Sequence, residues 1–264
     1  MMSWRWLLWL IPVYLVVLVV IAPARVALWF VGGGGGPGAA PPSSPVAITA
    51  ISGTIWHGEV SFNAALPTGG TLTLNDVEWR LSPWQLFTGQ AQVALKIPSS
   101  NIIYGEAVII ASSNSANLTA QMQGALQPAI QQLRIPVPIT MAGNFELAVA
   151  NYQVSDFAAG KLCDTLEATL TTRNTEMRLN QQWHALGDYK TQLSCNAQNG
   201  INARIDDNNL VGLRLNAQVN GRIAAPQVSL EGSMRPTVNT PKPVTDMLMF
   251  LGKPDAQGRY NFKW

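Results

Sequence analysis

The chain has 264 residues, of which 47% are hydrophobic and 12% are charged, and its formal net charge is +2. Because the charge is nearly balanced and no basic cluster occurs away from the N-terminal apolar stretch, nucleic acid is excluded as a partner. Once a membrane segment is set aside, the remaining length allows one domain of ordinary size or two small ones.

An uncharged apolar run lies near the N-terminus. It extends from Trp6 to Ala24, between Arg5 and Arg25, and its 19 residues match the thickness of a bilayer core at about 1.5 Å per residue. Aromatic residues crowd both ends, as in interfacial belts. Residues 1–30 are therefore predicted to form a cytoplasmic N-terminus and a transmembrane anchor. A cleaved signal peptide is the alternative, because Ala22-Pro23-Ala24 has an A-x-A pattern, but the run is longer than a usual signal-peptide core.

Residues 31–45 (VGGGGGPGAAPPSSP) follow the apolar run and predict a flexible linker that cannot bury a core. The charges on the two sides of the run are nearly equal, so the orientation rests on the two cysteines, which suit an oxidising compartment. We expect the N-terminus in the cytoplasm. The bulk of the chain, residues 46–264, is then expected on the periplasmic side of a bacterial inner membrane.

The rest of the chain has the pattern of strands, in which apolar residues alternate with Thr, Asn, Gln and Ser between short Gly-, Asn- and Pro-containing breaks. Strands are predicted at Ile48–Phe62 (broken at Ser52-Gly53), Thr71–Leu81, Gln90–Ile97, Ile102–Ala111, Asn117–Gly124, Thr140–Ala150, Thr165–Thr172, Asp188–Asn196, Gly200–Ile205, Leu210–Val219, Gln227–Met234 and Arg259–Trp264. Short helices are predicted at Pro83–Thr88, Leu126–Leu133 and Val244–Gly252.

The fold class is therefore mainly β, an antiparallel meander with short helices. The absence of alternating β-α-β units argues against a nucleotide-binding α/β sheet. A helix and a proline-bounded crossover at Gln127–Pro138 would divide the domain into halves at 46–125 and 139–264. A single long, curved sheet fits the same pattern.

Two cysteines, Cys163 and Cys195, lie in the strand-rich part. In an oxidising compartment such a pair predicts a disulfide, which would close a loop of about 32 residues and stabilise the fold by about 3 kcal/mol. Two buried thiols are the alternative. The two cysteines and the distant His57 and His184 lack the spacing of metal ligands, so no metal site is predicted.

One residue pair could carry acid–base chemistry. His57 and Glu59 are two apart, so on a strand they share a face, but a polar strand face has the same appearance. Ser194 has no G-x-S-x-G context. The run at 206–209 (DDNN) lacks the glycine and glutamate of a calcium loop and predicts a hairpin turn. We therefore predict no catalytic residue and no cofactor.

Four motifs in a fixed order resemble one family. They are SGTIWHG at 52–58, VEWRLSPWQLFTG at 77–89, LGDY at 186–189 and LGKPDAQGRY at 251–260. Over essentially the whole chain they are similar to protein N of the bacterial type II secretion system. The motif positions with an expected structural role are Gly53, Trp56, Gly58, Trp79, Arg80, Pro83, Gly89, Gly252, Pro254, Asp255, Gly258 and Tyr260. The glycine-rich linker departs from the family pattern, in which the first strand follows the anchor more directly.

The motifs also have a physical interpretation. Gly53 and Gly58 would allow tight bends around Trp56, and Gly252 would end a short helix before the last strand. Trp79, Leu81 and the helix-like segment Pro83–Phe87 would plug one end of the sheet.

The resemblance implies a non-enzymatic accessory component of the machine that exports folded proteins across the outer membrane. Its partners would be other inner-membrane components of that system, contacted through a sheet edge or an apolar face, with no nucleic acid involved. Two other functions stay open. One is a lipid-binding module, since the weakly charged strands could form a curved sheet with an apolar inner face. The other is an envelope hydrolase that uses His57 and Glu59.

Overall fold

The computed structural model describes residues 13–14, 17–26, 46–66, 70–133, 140–156, 160–222 and 225–263. Much of the predicted anchor (residues 1–12, 15–16 and 27–30), all of the predicted linker at 31–45 and the final Trp264 lie outside the described residues. Within the described ranges, none of the helices combines the length and the apolarity needed to cross a bilayer.

The described residues form thirteen strands and a few short helices. The strands are β1 Val46–Gly53, β2 His57–Ala65, β3 Thr71–Ser82, β4 Ala91–Ile97, β5 Ile103–Ala111, β6 Ser115–Ala125, β7 Thr140–Ser155, β8 Thr165–Leu179, β9 Gln182–Cys195, β10 Ile201–Ile205, β11 Leu213–Arg222, β12 Ala225–Met234 and β13 Tyr260–Lys263. The helices are α1 Pro83–Leu86, α2 Leu126–Leu133 and α3 Lys242–Leu248, and a 3-10 turn at Met249–Leu251 follows α3.

All strands belong to one antiparallel sheet in which each strand pairs with the next along the chain, in the order β1 to β13. β6 pairs with β7 across the crossover that could have divided the domain, so a single sheet runs through both halves. The sheet is open, since β1 and β13 are its two edges in the part of the chain that the structure describes. The prediction of a mainly β, antiparallel meander is confirmed.

Three strands are much longer than the sequence predicts. β7 continues to Ser155, β8 continues to Leu179, and β9 begins at Gln182. The pairing of β8 with β9 shifts register near Asn174 and Gly187, which have φ values of 50° and 83°. A bulge accommodates such left-handed residues without ending the strand. Residues that look like strand breaks therefore lie inside continuous strands.

The two faces of the sheet differ sharply in polarity. Residues paired across neighbouring strands point to the same face. One row crosses all thirteen strands and contains a single apolar residue: Ser52, Glu59, Glu78, Lys96, Glu106, Gln121, Ala148, Thr169, Gln192, Arg204, Asn216, Glu231 and Lys263. The row of the opposite face, one residue along, consists of Gly53, Gly58, Trp79, Leu95, Ala107, Ala120, Val149, Ala168, Leu193, Ala203, Ala217 and Leu230. We call these the polar face and the apolar face.

Burial differs between the faces in the same way. Almost every residue of the polar row is exposed, whereas most of the apolar row is half-buried and Ala120 is buried. A flat open sheet would expose its two faces equally. Since the described residues form no second sheet layer, the asymmetry indicates that the sheet bends toward its apolar face.

Two hydrophobic clusters close one end of the sheet. One is centred on Val77 and includes Leu74 and Ile97. The other is centred on Val211 and receives Val244 of α3. Helix α2 lies at the same end, against β3 and β7. We call this the helix-capped end. The opposite end, where the β1–β2 turn and α1 lie, is called the Trp56 end.

Candidate functional site

The first motif forms the tight turn between β1 and β2. Gly53 has a φ of 94°, and a Cβ at this position would lie 2.5 Å from the carbonyl oxygen of His57. A Cβ on Gly58 would lie 2.2 Å from the carbonyl oxygen of Ser52 and 2.7 Å from the ring of Trp79. Both glycines therefore stand where no side chain fits, which gives the motif a steric reason.

The N-terminal segment docks on this turn. The Trp56 indole Nε1–H donates a hydrogen bond to the carbonyl oxygen of Val19 at 2.9 Å, and the Ile55 N–H donates to the carbonyl oxygen of Ala22 at 3.0 Å. A β-bridge joins Pro23 to Thr54. Ala24, the next residue, is buried. The end of the apolar run is thus fixed to the sheet by its own backbone.

The second motif extends the same end of the sheet. The Leu81 N–H donates to the carbonyl oxygen of Trp56 at 2.7 Å, and the Trp79 indole donates to the carbonyl oxygen of Ile55 at 3.4 Å. These bonds fix the end of β3 against the β1–β2 turn. Pro83 then begins α1, where a proline at the first position suits a helix, and Gly89 leads back into β4 with a φ of 75°.

The sequence predicts that the segment around α1 plugs one end of the sheet, but the structure shows that it does not. The side chains of Trp84 and Phe87 are 79% and 84% exposed, and their ring centroids lie 6.1 Å apart. Leu86 is exposed as well. The plug prediction is wrong for Pro83–Phe87, because α1 has only four residues and buries none of them. The apolar residues of this segment look the same in the sequence whether they are buried as a plug or exposed on the surface, so the sequence alone does not distinguish the two.

The third motif forms a bulge and a core anchor. Gly187 takes the left-handed conformation inside β9, where the pairing with β8 is irregular, and the Asp188 carboxylate accepts a hydrogen bond at 2.8 Å from the Asn174 N–H of β8. Tyr189 is buried, and its hydroxyl donates to the carbonyl oxygen of Leu186 at 3.0 Å. Burial disfavours the phenolate and raises the pKa of Tyr189 to about 12. The motif is therefore structural.

The fourth motif is a turn organised by one carboxylate. Asp255 Oδ1 accepts the N–H groups of Gln257 and Arg259 at 3.0 and 2.9 Å, and Oδ2 accepts the side chain of Asn261 at 3.1 Å. These bonds, led by the one from the Arg259 backbone, hold the pKa of Asp255 below its usual range. Gly258 has a φ of 74° in the turn, and Tyr260 opens β13.

A charge pair that sequence analysis missed connects this turn to the hairpin at 206–209. The Arg259 guanidinium binds the Asp207 carboxylate and donates to the Ser233 hydroxyl at 3.3 Å, while Arg214 contacts the same carboxylate at 3.1 Å. The hydrogen bond from Arg259 lowers the pKa of Asp207. The run does form the predicted hairpin turn, between β10 and β11. In the sequence, the adjacent Asp206 and Asp207 in one short turn could have indicated that a basic side chain pairs with them.

The predicted disulfide is formed. Cys163 and Cys195 are joined, with their Cα atoms 5.6 Å apart, and Cys163 is buried. Asp164 next to it accepts the Ser155 hydroxyl at 2.6 Å, and this bond together with the Ser155 N–H lowers the pKa of Asp164. The bridge therefore closes the open end of the β8–β9 hairpin, and the Asp164–Ser155 bond connects this end to β7.

The pair considered for acid–base chemistry is not assembled. His57 and Glu59 share the exposed polar face and line a groove of about 400 Å³ with Glu78, Lys96 and other residues. Within the described part of the chain, the His57 ring is hydrogen-bonded to the Thr54 hydroxyl at 3.4 Å rather than to a carboxylate. Among the same residues, no group of His, Cys, Asp and Glu could hold a metal ion.

Comparison with known proteins shows the relationship. The model of the family "Type II secretion system (T2SS), protein N" matches residues 44–263. The chain belongs to the type II secretion system protein N family. It is similar to the type II secretion system protein N of Aeromonas hydrophila, with 25% identity over 84% of this chain and 85% of that protein. It is also 25% identical to the Vibrio cholerae serotype O1 protein of the same name, over 81% of this chain and 82% of that protein. None of the solved structures is a significant match.

Proposed function

We propose that this chain is an accessory component of the type II secretion system, anchored in the inner membrane by its N-terminal apolar segment, with its sheet in the periplasm. It supports the export of folded proteins across the outer membrane through protein–protein contacts and is not an enzyme. The observation that carries the proposal is the family match, which covers all thirteen strands of the described sheet. The disulfide supports a periplasmic location, since such bonds persist in oxidising compartments.

The open sheet supports a contact by strand addition. β13 has only four residues and pairs with Glu231–Met234 of β12, so the first half of β12 forms an edge of the described sheet. Val228 in this half is 58% exposed. An exposed edge of this kind is a template for a strand of another chain, and the partners are inner-membrane components of the same system.

Photo-crosslinking in cells tests this proposal at single residues. A benzophenone amino acid replaces Val228 on the β12 edge, and a matched control replaces Gln121, which is exposed in the middle of the polar face. We expect inner-membrane secretion subunits to be captured from position 228 and not from position 121. Capture from position 121 alone would indicate that the partner contacts the polar face and not the β12 edge. Failure at both positions, with the protein present at normal levels, would contradict the proposal.

A second function is favoured by one observation, the continuous apolar face. Its central row contains small residues at several strands, among them Ala107, Ala168, Ala203 and Ala217, and these leave room along a half-buried surface. Such a surface could hold a lipid acyl chain. The test is crosslinking of the full chain to a photoreactive phospholipid. Ala203→Trp, which fills the surface, should reduce the labelling, whereas Gln121→Trp on the polar face should not. Equal labelling of both variants would remove this second function.

A further inference from the structure

The Trp56 end brings together three features that the proposed function does not use. The end of the apolar N-terminal run is bound to the β1–β2 turn, through the Trp56–Val19 and Ile55–Ala22 hydrogen bonds. The exposed aromatic turn α1 lies at the same end, because Trp56 and Pro83 line one cavity of about 640 Å³. Two exposed arginines belong to this end, Arg25 after the apolar run and Arg80, which lines the same cavity.

We infer that the Trp56 end of the sheet rests on the lipid bilayer, with Trp84, Leu86 and Phe87 inserted in the headgroup region beside the N-terminal segment. This inference rests on the proposed membrane anchor and adds a second contact with the same membrane. Aromatic side chains concentrate at the interface between headgroups and acyl chains, and arginines next to them suit anionic lipid headgroups.

The hydrogen bonds to the N-terminal segment are the reason for choosing lipid as the partner of the exposed α1 side chains. Val19 and Ala22 belong to the apolar run, whose side chains from 17 to 21 are exposed on a helical segment. Because the sheet is bound to the last turn of that segment, a bilayer around the segment must also meet the Trp56 end. A glycine-rich linker would ordinarily let the domain move away from the membrane, but these bonds bypass it, since they join residues 19–23 directly to 54–56.

The opposite end of the molecule supplies a matched control. Phe250, which follows α3 at the helix-capped end, is 90% exposed and so resembles Phe87 in type and in exposure. Both native cysteines are held in the disulfide, and therefore a single introduced cysteine is the one free thiol among the described residues. Phe87→Cys and Phe250→Cys can each be labelled with the polarity-sensitive fluorophore NBD.

The experiment reconstitutes the full chain in vesicles of phosphatidylethanolamine and phosphatidylglycerol. With the label at position 87 we expect a blue-shifted emission. A nitroxide-labelled lipid should quench this emission severalfold more than it quenches a label at position 250. Trp56→Phe, which removes the indole donor to Val19, should reduce the quenching at position 87. Equal quenching at both positions would overturn the inference, and so would a blue shift at position 87 without quenching by lipid, which would indicate a protein contact.

Flotation of the same vesicles separates this inference from the proposed anchor. If the chain does not float with the vesicles after an alkaline wash, the anchor itself is refuted. If it floats but the label at position 87 is not quenched, the anchor stands and only the contact of the Trp56 end is refuted.

Discussion

The loss of stability on removal of the disulfide can be calculated from the length of the loop that the bond closes. The Cys163–Cys195 bridge closes 32 residues, which include the whole β8–β9 hairpin. The chain-entropy relation for a loop of this length gives about 3.7 kcal/mol at 25 °C, which refines the figure of about 3 kcal/mol expected from the sequence. It corresponds to roughly a 500-fold change in the unfolding equilibrium constant. Cys163→Ala with Cys195→Ala should therefore lower the free energy of unfolding by about that amount.

Urea unfolding of the full chain in detergent micelles, followed by far-UV circular dichroism, measures the change. With a denaturant slope of about 2 kcal/mol/M, the midpoint should fall by about 2 M. Reduced wild-type protein is the matched control, because it lacks the bond but keeps both sulfur atoms. The double variant should resemble it and should not respond to reductant. A decrease of less than about 1 kcal/mol in both proteins would refute the idea that loop closure in the unfolded chain stabilises this sheet.

Other predictions concern the family motifs. Gly58→Ala should lower the free energy of unfolding by about 1–3 kcal/mol and alter the near-UV signal of the Trp79 ring, since the new methyl group overlaps it. Gly89→Ala, where no atom lies within 4 Å of the Cβ, should leave that signal unchanged, and an equal spectral change in both would contradict the steric argument. The folded-state pKa of Asp255 is lowered, so its stabilisation is present above the ordinary carboxyl pKa and is lost as the pH falls through the folded value. Asp255→Asn should therefore flatten the acid dependence of stability in a pH-titrated unfolding series, and an unchanged slope would contradict this. Arg259→Met should destabilise more than Arg214→Met in urea, because the Arg259 side chain is 17% exposed and that of Arg214 is 56% exposed, although both bind Asp207. Equal losses would count against this difference in burial.

The local pattern predicts the sheet well, for a physical reason. Alternation in TLTLNDVEWRL predicts β3 within one residue. The buried Leu74 and Val77 are nevertheless three residues apart, because the pairing of β2 with β3 shifts register between them. Pairing between most successive strands then follows from the short connections between them, whereas β12 and β13 pair across residues 235–259. The helix at Leu126–Leu133 is predicted with its observed bounds.

The features that sequence analysis missed depend on distant parts of the chain. The continuation of β8 past Asn174 needs the facing bulge at Gly187 and the Asp188 carboxylate. The exposure of Trp84 depends on where α1 lies relative to the sheet, which its own sequence does not determine. The docking of Val19 on Trp56 joins positions 37 residues apart across the glycine-rich segment, and no local pattern reports such a contact.

The proposed role in secretion is tested most directly by affinity purification of the full chain after crosslinking in cells that assemble a type II secretion system. We expect enrichment of inner-membrane subunits of that system over other abundant inner-membrane proteins. Recovery of phospholipid without those subunits would contradict it and would make lipid binding on the apolar face the function of the sheet.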